Sequence, residues 1–377
     1  MKYSFENIPT PCFVVDEDLL IKNLKILKDV MDRSGCHILL AQKCFSMYHT
    51  YPLLAGYLSG TTASGLYEAK LGHEYFGGET HVYSAAYRED EIDEILNVCD
   101  HIVFNSFSQW NRFKAKATAA GKVCGLRINP QCSTQEGHAI YDPCSPNSRM
   151  GIPLENFEKD NLEGISGLHF HTLCEQNSDD LVKTVEAVKE QFGDILCKMK
   201  WINLGGGHHI TRKDYDIERL IACIRELKEE YNLEVYLEPG EAVALNAGFL
   251  ISTVLDIIKN GMDIAIMDTS AACHMPDVLE MPYTPDILGA KKGKTEKAKY
   301  VYRLGGPTCL AGDIIGDYSF EHELRVGDRL VFCDMAIYSM VKTNTFNGMR
   351  LPHIAYKGKE GIELIKSFGY EDFKSRL

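Results

Sequence analysis

The sequence has no excess of basic residues, no long apolar run and no paired cysteines. Its formal net charge is −13. Nucleic-acid phosphates require a basic surface, so we expect no nucleic-acid partner, and a cationic or small zwitterionic substrate suits an acidic protein better. The longest uncharged apolar stretch, Ala242 to Leu255, is too short to cross a bilayer and contains Asn246 and Gly248. We therefore expect no membrane partner.

Thirteen cysteines are scattered singly, without a CxxC pair or a regular spacing. This pattern indicates reduced thiols that are mostly buried as small apolar side chains. The N-terminal segment MKYSFENIPTPCFVVDEDLL lacks a basic stretch followed by an apolar one, which predicts that there is no signal peptide. Together these features predict a cytoplasmic location.

A chain of 377 residues suits one large domain and a smaller one. Apolar, β-branched runs alternate with amphipathic segments whose apolar residues recur every three or four positions, and this alternation predicts an α/β fold with a (β/α)8 TIM-like barrel. The predicted barrel strands are His37–Lys43, Thr61–Ser64, His81–Ser84, His101–Asn105, Val123–Asn129, Gly167–Thr172, Trp201–Leu204 and Glu234–Glu238.

The pattern changes after Glu238, where short strands separated by Gly, Pro and Asp turns predict a C-terminal antiparallel β domain. A short strand at Cys12–Val15 precedes the first helix, for which Asp16 is the expected N-cap. We therefore predict a barrel over residues 18–246, and a β domain over 1–17 and 247–377 that completes the active site. The predicted strands of this domain are Thr253–Ile258, Ile264–Asp268, Lys299–Leu304, Arg329–Cys333 and Ile354–Lys357.

Polar residues and glycines follow four of the barrel strands: Lys43, His171, Gly205 to Gly207, and Glu238. Each alone has an ordinary structural explanation, such as a surface lysine, a core histidine or a tight turn. The carboxyl ends of barrel strands form one rim, where barrel enzymes have their active sites. Three adjacent glycines there can also bind a phosphate through their amides. The convergence of these residues predicts an active site at this rim.

A metal centre is the alternative interpretation of the rim, because histidines and a carboxylate are ligands for zinc or iron. This interpretation gives no role to Lys43 or to the glycines, so we predict no metal. The candidate ligands would be His169, His171, His208, His209 and Glu238.

Six motifs make the chain recognisable: A-Q-K-C at Lys43, H-F-H at His171, G-G-G at Gly205, E-P-G at Glu238, G-P-T-C at Cys309 and D-M-A-I-Y ending at Tyr338. Over nearly its whole length the sequence resembles the alanine-racemase-like, fold-type III decarboxylases that use pyridoxal 5'-phosphate, the group of ornithine and diaminopimelate decarboxylases. Longer strings such as NLGGGHHITRKDYD and HMPDVLEMPY resemble the branch that acts on carboxynorspermidine and carboxyspermidine in bacterial polyamine biosynthesis.

The resemblance implies a role for each motif. Lys43 would hold the cofactor as a Schiff base, Glu238 would keep a proton on the pyridine nitrogen, and His171 would stack on the ring. Gly205, Gly206 and Gly207 would bind the phosphate with the Tyr338 hydroxyl, and Arg149 would support the cofactor. Cys309 would protonate the decarboxylated carbon from the partner subunit, which implies a homodimer with shared active sites.

Three positions depart from the group. Gln42 replaces an apolar residue before the lysine and is expected to face away from the cofactor. Leu310 replaces an acidic residue after the cysteine. Glu241 stands where diaminopimelate decarboxylases have arginine, and a glutamate there suits an ammonium tail better than a carboxylate tail. The predicted contacts of a polyamine substrate are Glu241, Asp277, Glu280, His274 and Asp313.

Other functions of the same scaffold remain open: a diaminopimelate- or ornithine-type decarboxylase, a racemase, or a non-catalytic carrier of pyridoxal phosphate. Cys309 and the acidic substrate pocket argue against the racemase, and the long β-rich segment argues against the carrier. Carboxynorspermidine and carboxyspermidine differ by one methylene, which is worth only about 1–3 kcal/mol of discrimination. The sequence therefore predicts both as substrates.

Overall fold

The computed structural model describes residues 5–135, 139–295 and 299–377. Two compact units divide the chain, one formed by Lys22–Val243 and the other by Met1–Ile21 with Ala244–Leu377. These borders lie within four residues of those expected from the sequence, at 17/18 and 246/247.

The first unit contains a closed barrel of eight strands, in which each strand runs parallel to both neighbours and the last pairs with the first. The predicted barrel is therefore confirmed. All eight strands end one to three residues earlier than the sequence pattern predicts, so the predicted polar residues lie in the loops just beyond them. The strands are β2 (His37–Ala41), β3 (Gly60–Ala63), β4 (Glu79–Tyr83), β5 (His101–Phe104), β6 (Val123–Arg127), β7 (Ile165–His169), β8 (Trp201–Asn203) and β9 (Glu234–Leu237).

Helices follow most of the strands, and several of them begin at polar caps. Asp16 accepts hydrogen bonds from the amides of Asp18 and Leu19 at the start of the first helix, as the sequence predicts. Asp216 accepts one from the Arg219 amide at the start of the last long helix. The helices are α1 (Glu17–Ser34), α2 (Tyr51–Ala55), α3 (Leu66–Tyr75), α4 (Ile92–Val98), α5 (Phe107–Ala119), α6 (Ser178–Leu196), α7 (Ile217–Tyr231) and α8 (Glu241–Ala244).

Large aromatic side chains fill much of the barrel interior. The His81 and His101 rings stack with centroids 4.0 Å apart, and His37 stacks on Tyr236 at 4.9 Å. Trp201 needs the space beside Gly167, because a Cβ atom there would lie 2.0 Å from the indole ring. Close packing of the interior therefore depends on a missing side chain as well as on the bulky ones.

The second unit contains a mixed nine-stranded sheet. Two of its pairings are parallel, unlike the antiparallel pattern expected for this domain. The N-terminal strand β1 (Cys12–Asp16) lies between β10 (Gly248–Asn260) and β16 (His353–Gly358) and runs parallel to β16. Strand β11 (Met262–Met267) runs parallel to β13 (Tyr300–Gly305). The strands are β1 (Cys12–Asp16), β10 (Gly248–Asn260), β11 (Met262–Met267), β12 (Ala290–Lys292), β13 (Tyr300–Gly305), β14 (Ile314–Phe320), β15 (Arg329–Cys333), β16 (His353–Gly358) and β17 (Gly361–Lys366).

Three short helices complete this unit: α9 (Ala271–His274), α10 (Asp277–Glu280) and α11 (Tyr370–Lys374). All thirteen cysteines are free thiols, and seven of them are buried. Among the described residues, no helix combines the length and apolarity needed to cross a membrane.

Candidate active site

A cavity of about 260 Å³ opens at the carboxyl ends of the barrel strands. This volume is slightly below the range of about 300–1,000 Å³ that is usual for small-molecule sites. Three of the residues predicted to converge, Lys43, His171 and Glu238, line it together. The charged groups and histidines of its wall are Lys43, Arg127, Arg149, His169, His171 and Glu238.

Lys43 follows β2 by two residues, and its side chain is exposed to the cavity. The protein around it still removes most of the hydration that an ammonium group needs. This burial, together with the charge of Arg127, lowers the pKa of Lys43, although the charge of Glu238 opposes the shift. The amine is therefore easier to deprotonate, and hence more nucleophilic, than a surface lysine.

The Gln42 side chain faces away from the cavity, as predicted. Its side-chain oxygen accepts a hydrogen bond from the Tyr51 hydroxyl at 2.9 Å, and its nitrogen donates to the Glu68 carbonyl at 2.8 Å. The polar replacement is thus satisfied within the barrel wall.

Glu238 follows β9, and two donors hold its carboxylate. Asn203 Nδ2 donates to Oε1 at 2.8 Å, and His169 Nε2 lies 3.1 Å from Oε2. Burial by itself raises the pKa of a carboxyl group, but the interactions with His169, His81 and Thr62 together lower the pKa of Glu238 to about 2. The carboxylate is therefore ionised over the whole physiological range.

The three glycines form the tight turn after β8. Gly205 and Gly207 have φ values of +70° and +80°, a region that favours glycine. Cβ atoms at these positions would lie 2.3 Å from the Phe170 carbonyl oxygen and 2.0 Å from that of Leu173. The loop after β7 comes too close to leave room for side chains at Gly205 and Gly207. The backbone amides of the turn are therefore not covered by side chains of their own.

Two amides of this turn already donate within the protein. The Gly205 amide donates to Asn203 Oδ1 at 2.9 Å, and the Gly206 amide donates to His171 Nδ1 at 3.0 Å. Because Nδ1 accepts this bond, His171 is a neutral imidazole with its proton on Nε2. Burial, reinforced by the charges of Lys43 and Arg127, also lowers the pKa of His171 well below its usual value.

Three residues of the site were not predicted in these roles: Arg127, Asn203 and His169. Arg127 lies at the end of β6, donates to the His171 carbonyl at 3.1 Å and stacks its guanidinium 4.5 Å from the Tyr83 ring centroid. Arg127, His169 and Asn203 could have been recognised from their positions near the ends of predicted strands, the same feature that identified Lys43 and Glu238. His169 was weighed only as a metal ligand.

In the second unit, Cys309 is exposed in a loop after β13, and its amide donates to Asn347 Oδ1 at 2.6 Å. Tyr338 follows β15 with a φ of +51°, and the Lys342 ammonium lies 5.6 Å from its ring centroid. Both residues remain predictions for the site.

The acidic residues predicted to bind the substrate already have basic neighbours. Glu241 contacts His209 Nε2. Asp277 and Glu280, at the two ends of α10, contact the Lys342 ammonium at 2.5 and 3.3 Å. A substrate ammonium at these carboxylates would have to share them with the protein's own cation.

His274 and Asp313 are buried and hydrogen-bonded within the second unit, and both remain predictions as substrate contacts. His274 Nδ1 lies 2.9 Å from the Thr269 hydroxyl, and Nε2 lies 3.0 Å from the Arg350 carbonyl. Asp313 accepts hydrogen bonds from Ser270, the Ala272 amide and Thr308. Thr308 directly precedes Cys309, so Asp313 also helps to organise the loop that carries the cysteine.

Two groups within the described residues have the composition of a metal site: Glu79 with His81 and His101, and Glu175 with His209 and Glu241. Neither group is the set of candidate metal ligands at the barrel rim that the sequence suggested. The His81 and His101 planes differ by only 12° in their stack, so their nitrogen lone pairs do not converge on one point. The stack fills the barrel interior instead.

The comparison with known families decides the assignment. Residues 12–336 match the family described as "Pyridoxal-dependent decarboxylase, C-terminal sheet domain". The chain belongs to this decarboxylase family. The family uses pyridoxal phosphate, and the cavity suits it: Lys43, Arg127 and Arg149 match an anionic cofactor that carries an aldehyde, and Glu238 matches a basic ring nitrogen.

Several relatives within the decarboxylase family match almost the full length. The chain is 44% identical to a carboxynorspermidine/carboxyspermidine decarboxylase of Campylobacter jejuni over 99% of both chains, and 42% identical to a carboxyaminopropylagmatine decarboxylase of a Synechocystis species over 98% and 96%. A crystal structure of carboxynorspermidine decarboxylase complexed with norspermidine, from C. jejuni, superposes with a TM-score of 0.92 at 42% identity and covers 98% of this chain and 100% of that one.

Proposed function

We propose that this protein decarboxylates carboxynorspermidine to norspermidine and carboxyspermidine to spermidine, with pyridoxal phosphate as cofactor. The observation that carries the proposal is the 44% identity, over 99% of both chains, to a relative named for both substrates. Similarity of this degree along the whole chain supports a substrate of the same chemical class.

Lys43, Glu238 and His171 at the barrel rim would each have a different role at the cofactor. Lys43, with its lowered pKa, would hold the cofactor through its side-chain amine. Pyridoxal phosphate, when bound, supplies an electron sink for the electron pair released as CO2 leaves. Glu238 would hold the proton on the ring nitrogen, and neutral His171 would pack against the ring face.

The phosphate would lie at the Gly205–Gly207 turn, with the Tyr338 hydroxyl and with Arg149 as a further cation. The turn offers bare backbone, although the Gly205 and Gly206 amides donate within the protein. Binding a phosphate there would therefore favour the Gly207 amide or require these two bonds to be shared.

Cys309 would return a proton from Sγ to the carbon that has lost CO2. Its exposure in this single chain is what a residue that serves a partner's site requires. We therefore propose a homodimer in which each chain completes the site of the other. The cytoplasmic location inferred from the scattered free thiols belongs to the same proposal.

Carboxyaminopropylagmatine is the second candidate substrate, because the Synechocystis relative is almost as similar, at 42% identity. Its tail ends in a planar guanidinium, whereas the polyamine substrates end in an ammonium. A guanidinium prefers paired donation to one carboxylate, and an ammonium acts as a point charge. The geometry of the carboxylates that bind the substrate tail would therefore determine whether the polyamine substrates or carboxyaminopropylagmatine bind better.

The test is CO2 release from carboxynorspermidine, carboxyspermidine and carboxyaminopropylagmatine, with diaminopimelate and ornithine as controls. We expect the highest kcat/KM for the first two and none for a Lys43→Ala variant. A higher kcat/KM for carboxyaminopropylagmatine would replace the proposed substrates by that one. Turnover of diaminopimelate alone would refute the assignment to carboxylated polyamines.

A further inference from the structure

Glu238 is held at both of its oxygens. The Asn203 amide donates to Oε1 at 2.8 Å from the end of β8, and His169 Nε2 lies 3.1 Å from Oε2 at the end of β7. The carboxylate cannot rotate without losing one of these contacts. Its direction is therefore set by two side chains that the proposed mechanism does not use.

We propose that His169 is a positioning residue, which aims the Glu238 carboxylate so that it can hold a proton on the cofactor's ring nitrogen. This inference rests on the proposed function for the ring nitrogen itself. It adds a residue that acts on the cofactor through another residue.

The surroundings of His169 show that its polar contact is specific. The side chain is 1% exposed, and its ring stacks on Tyr83 with centroids 5.4 Å apart. Nδ1 is buried and has no hydrogen-bond partner among the described residues. A buried nitrogen without a partner is unfavourable, so an apolar residue would fill this space at lower cost. Among the described residues, the ring nitrogens of His169 therefore make one hydrogen bond, from Nε2 to Glu238.

The tautomer follows from the contact. An ionised carboxylate only accepts hydrogen bonds, so the proton of His169 lies on Nε2 and the lone pair on Nδ1. Burial lowers the pKa of His169, which keeps the ring neutral. A neutral donor stabilises the carboxylate without cancelling its charge, whereas an imidazolium would compete with the ring nitrogen for it. Thr62 and His81 also act on Glu238, and the charge of Lys43 interacts with it. Arg127 lines the same cavity.

Four variants separate positioning from packing. His169→Leu removes the donor, His169→Phe removes it but keeps a ring, and His169→Gln keeps an N–H donor. His353→Leu is the matched control, because His353 is also buried with an unpartnered Nδ1 but lies in β16 of the second unit. If the leucine variant does not fold, the phenylalanine variant gives the same information.

The first measurement uses protein without cofactor and reads the Glu238 carboxyl by ¹³C NMR down to pH 4, with Glu238→Gln for assignment. Loss of one charge-assisted hydrogen bond should raise the midpoint of Glu238 by about one to two pH units. We therefore expect partial protonation near pH 4 in the leucine and phenylalanine variants. Wild type, His169→Gln and His353→Leu should stay ionised.

The second measurement uses protein loaded with pyridoxal phosphate that carries ¹⁵N in the ring. We expect the shift of a protonated nitrogen in wild type, His169→Gln and His353→Leu, and a loss of that proton in the leucine and phenylalanine variants, with kcat/KM reduced about tenfold to a hundredfold. Unchanged carboxyl and nitrogen signals in both apolar variants would overturn the role of His169. Absence of CO2 release from every carboxylated polyamine, with these shifts present, would overturn the proposed function and leave the positioning role intact.

Discussion

Lys342 places its ammonium 2.5 Å from an Asp277 carboxylate oxygen, across 65 positions of sequence. Glu280 approaches the same ammonium at 3.3 Å. The two carboxylates predicted to attract a substrate cation therefore already share one cation of the protein. The two carboxylates and Lys342 together carry a net charge of −1, which matches a single ammonium of the substrate.

This arrangement predicts opposite effects of two substitutions. Lys342→Met should lower KM for carboxynorspermidine by roughly twofold to fivefold, because the substrate no longer competes for partly exposed carboxylates. Asp277→Asn should raise KM by a similar or larger factor. Lys342→Arg, which keeps the charge, is the control, and steady-state kinetics at low and high salt provide the measurement. A higher KM in Lys342→Met would mean that the lysine supports substrate binding instead.

A side chain at Gly306 should disturb the loop that carries Cys309. A Cβ atom at Gly306 would lie 2.1 Å from Asp313 Oδ2, and Asp313 is held by several hydrogen bonds. Gly306→Ala should cost about 1–3 kcal/mol of stability and lower kcat, because the loop must shift. The visible cofactor spectrum should not change. Gly312→Ala is the matched control, since nothing lies within 4 Å of its Cβ position. Equal activity of the two variants would show that the loop tolerates the displacement.

The shared active site predicts complementation between inactive chains. Lys43→Ala and Cys309→Ala should each be nearly inactive, because one loses the cofactor linkage and the other the proton donor. Mixed under conditions that exchange subunits, they should regain up to about a quarter of wild-type activity, since half of the dimers are hybrids with one intact site of two. Exchange is verified with differently tagged chains. No recovery despite exchange would indicate that each chain holds a complete site.

Buried neutral histidines predict acid sensitivity of the folded state. Burial lowers the pKa of His208 and of His274 to about 4, from a usual value of 6.5. Between about pH 6 and pH 4 the unfolded chain binds protons that the folded chain excludes, so stability falls as pH falls, by about 1.4 kcal/mol per pH unit for each histidine. Tm measured from pH 7 to pH 4.5 should therefore decrease. His274→Gln should flatten this decrease even if it lowers Tm at pH 7, and an unchanged slope would exclude His274 as a cause.

The sequence alone determined the barrel and four of its rim features. Lys43, His171, the glycine turn and Glu238 were predictable together because the strands of a parallel barrel all end at one rim, whatever their register. The alternation of apolar runs and amphipathic segments carried that information locally. The family resemblance then indicated the cofactor.

Only the tertiary structure decided which side chains meet. His169 and Asn203 reach Glu238 from 69 and 35 positions away, and these contacts depend on the registers that close the barrel. One of the two parallel pairings of the second sheet depends likewise on β1, which inserts between strands more than 200 residues later in the chain. Strand pairing and charge pairing over such distances are set by the packing of the whole unit, and no local pattern of residues records them.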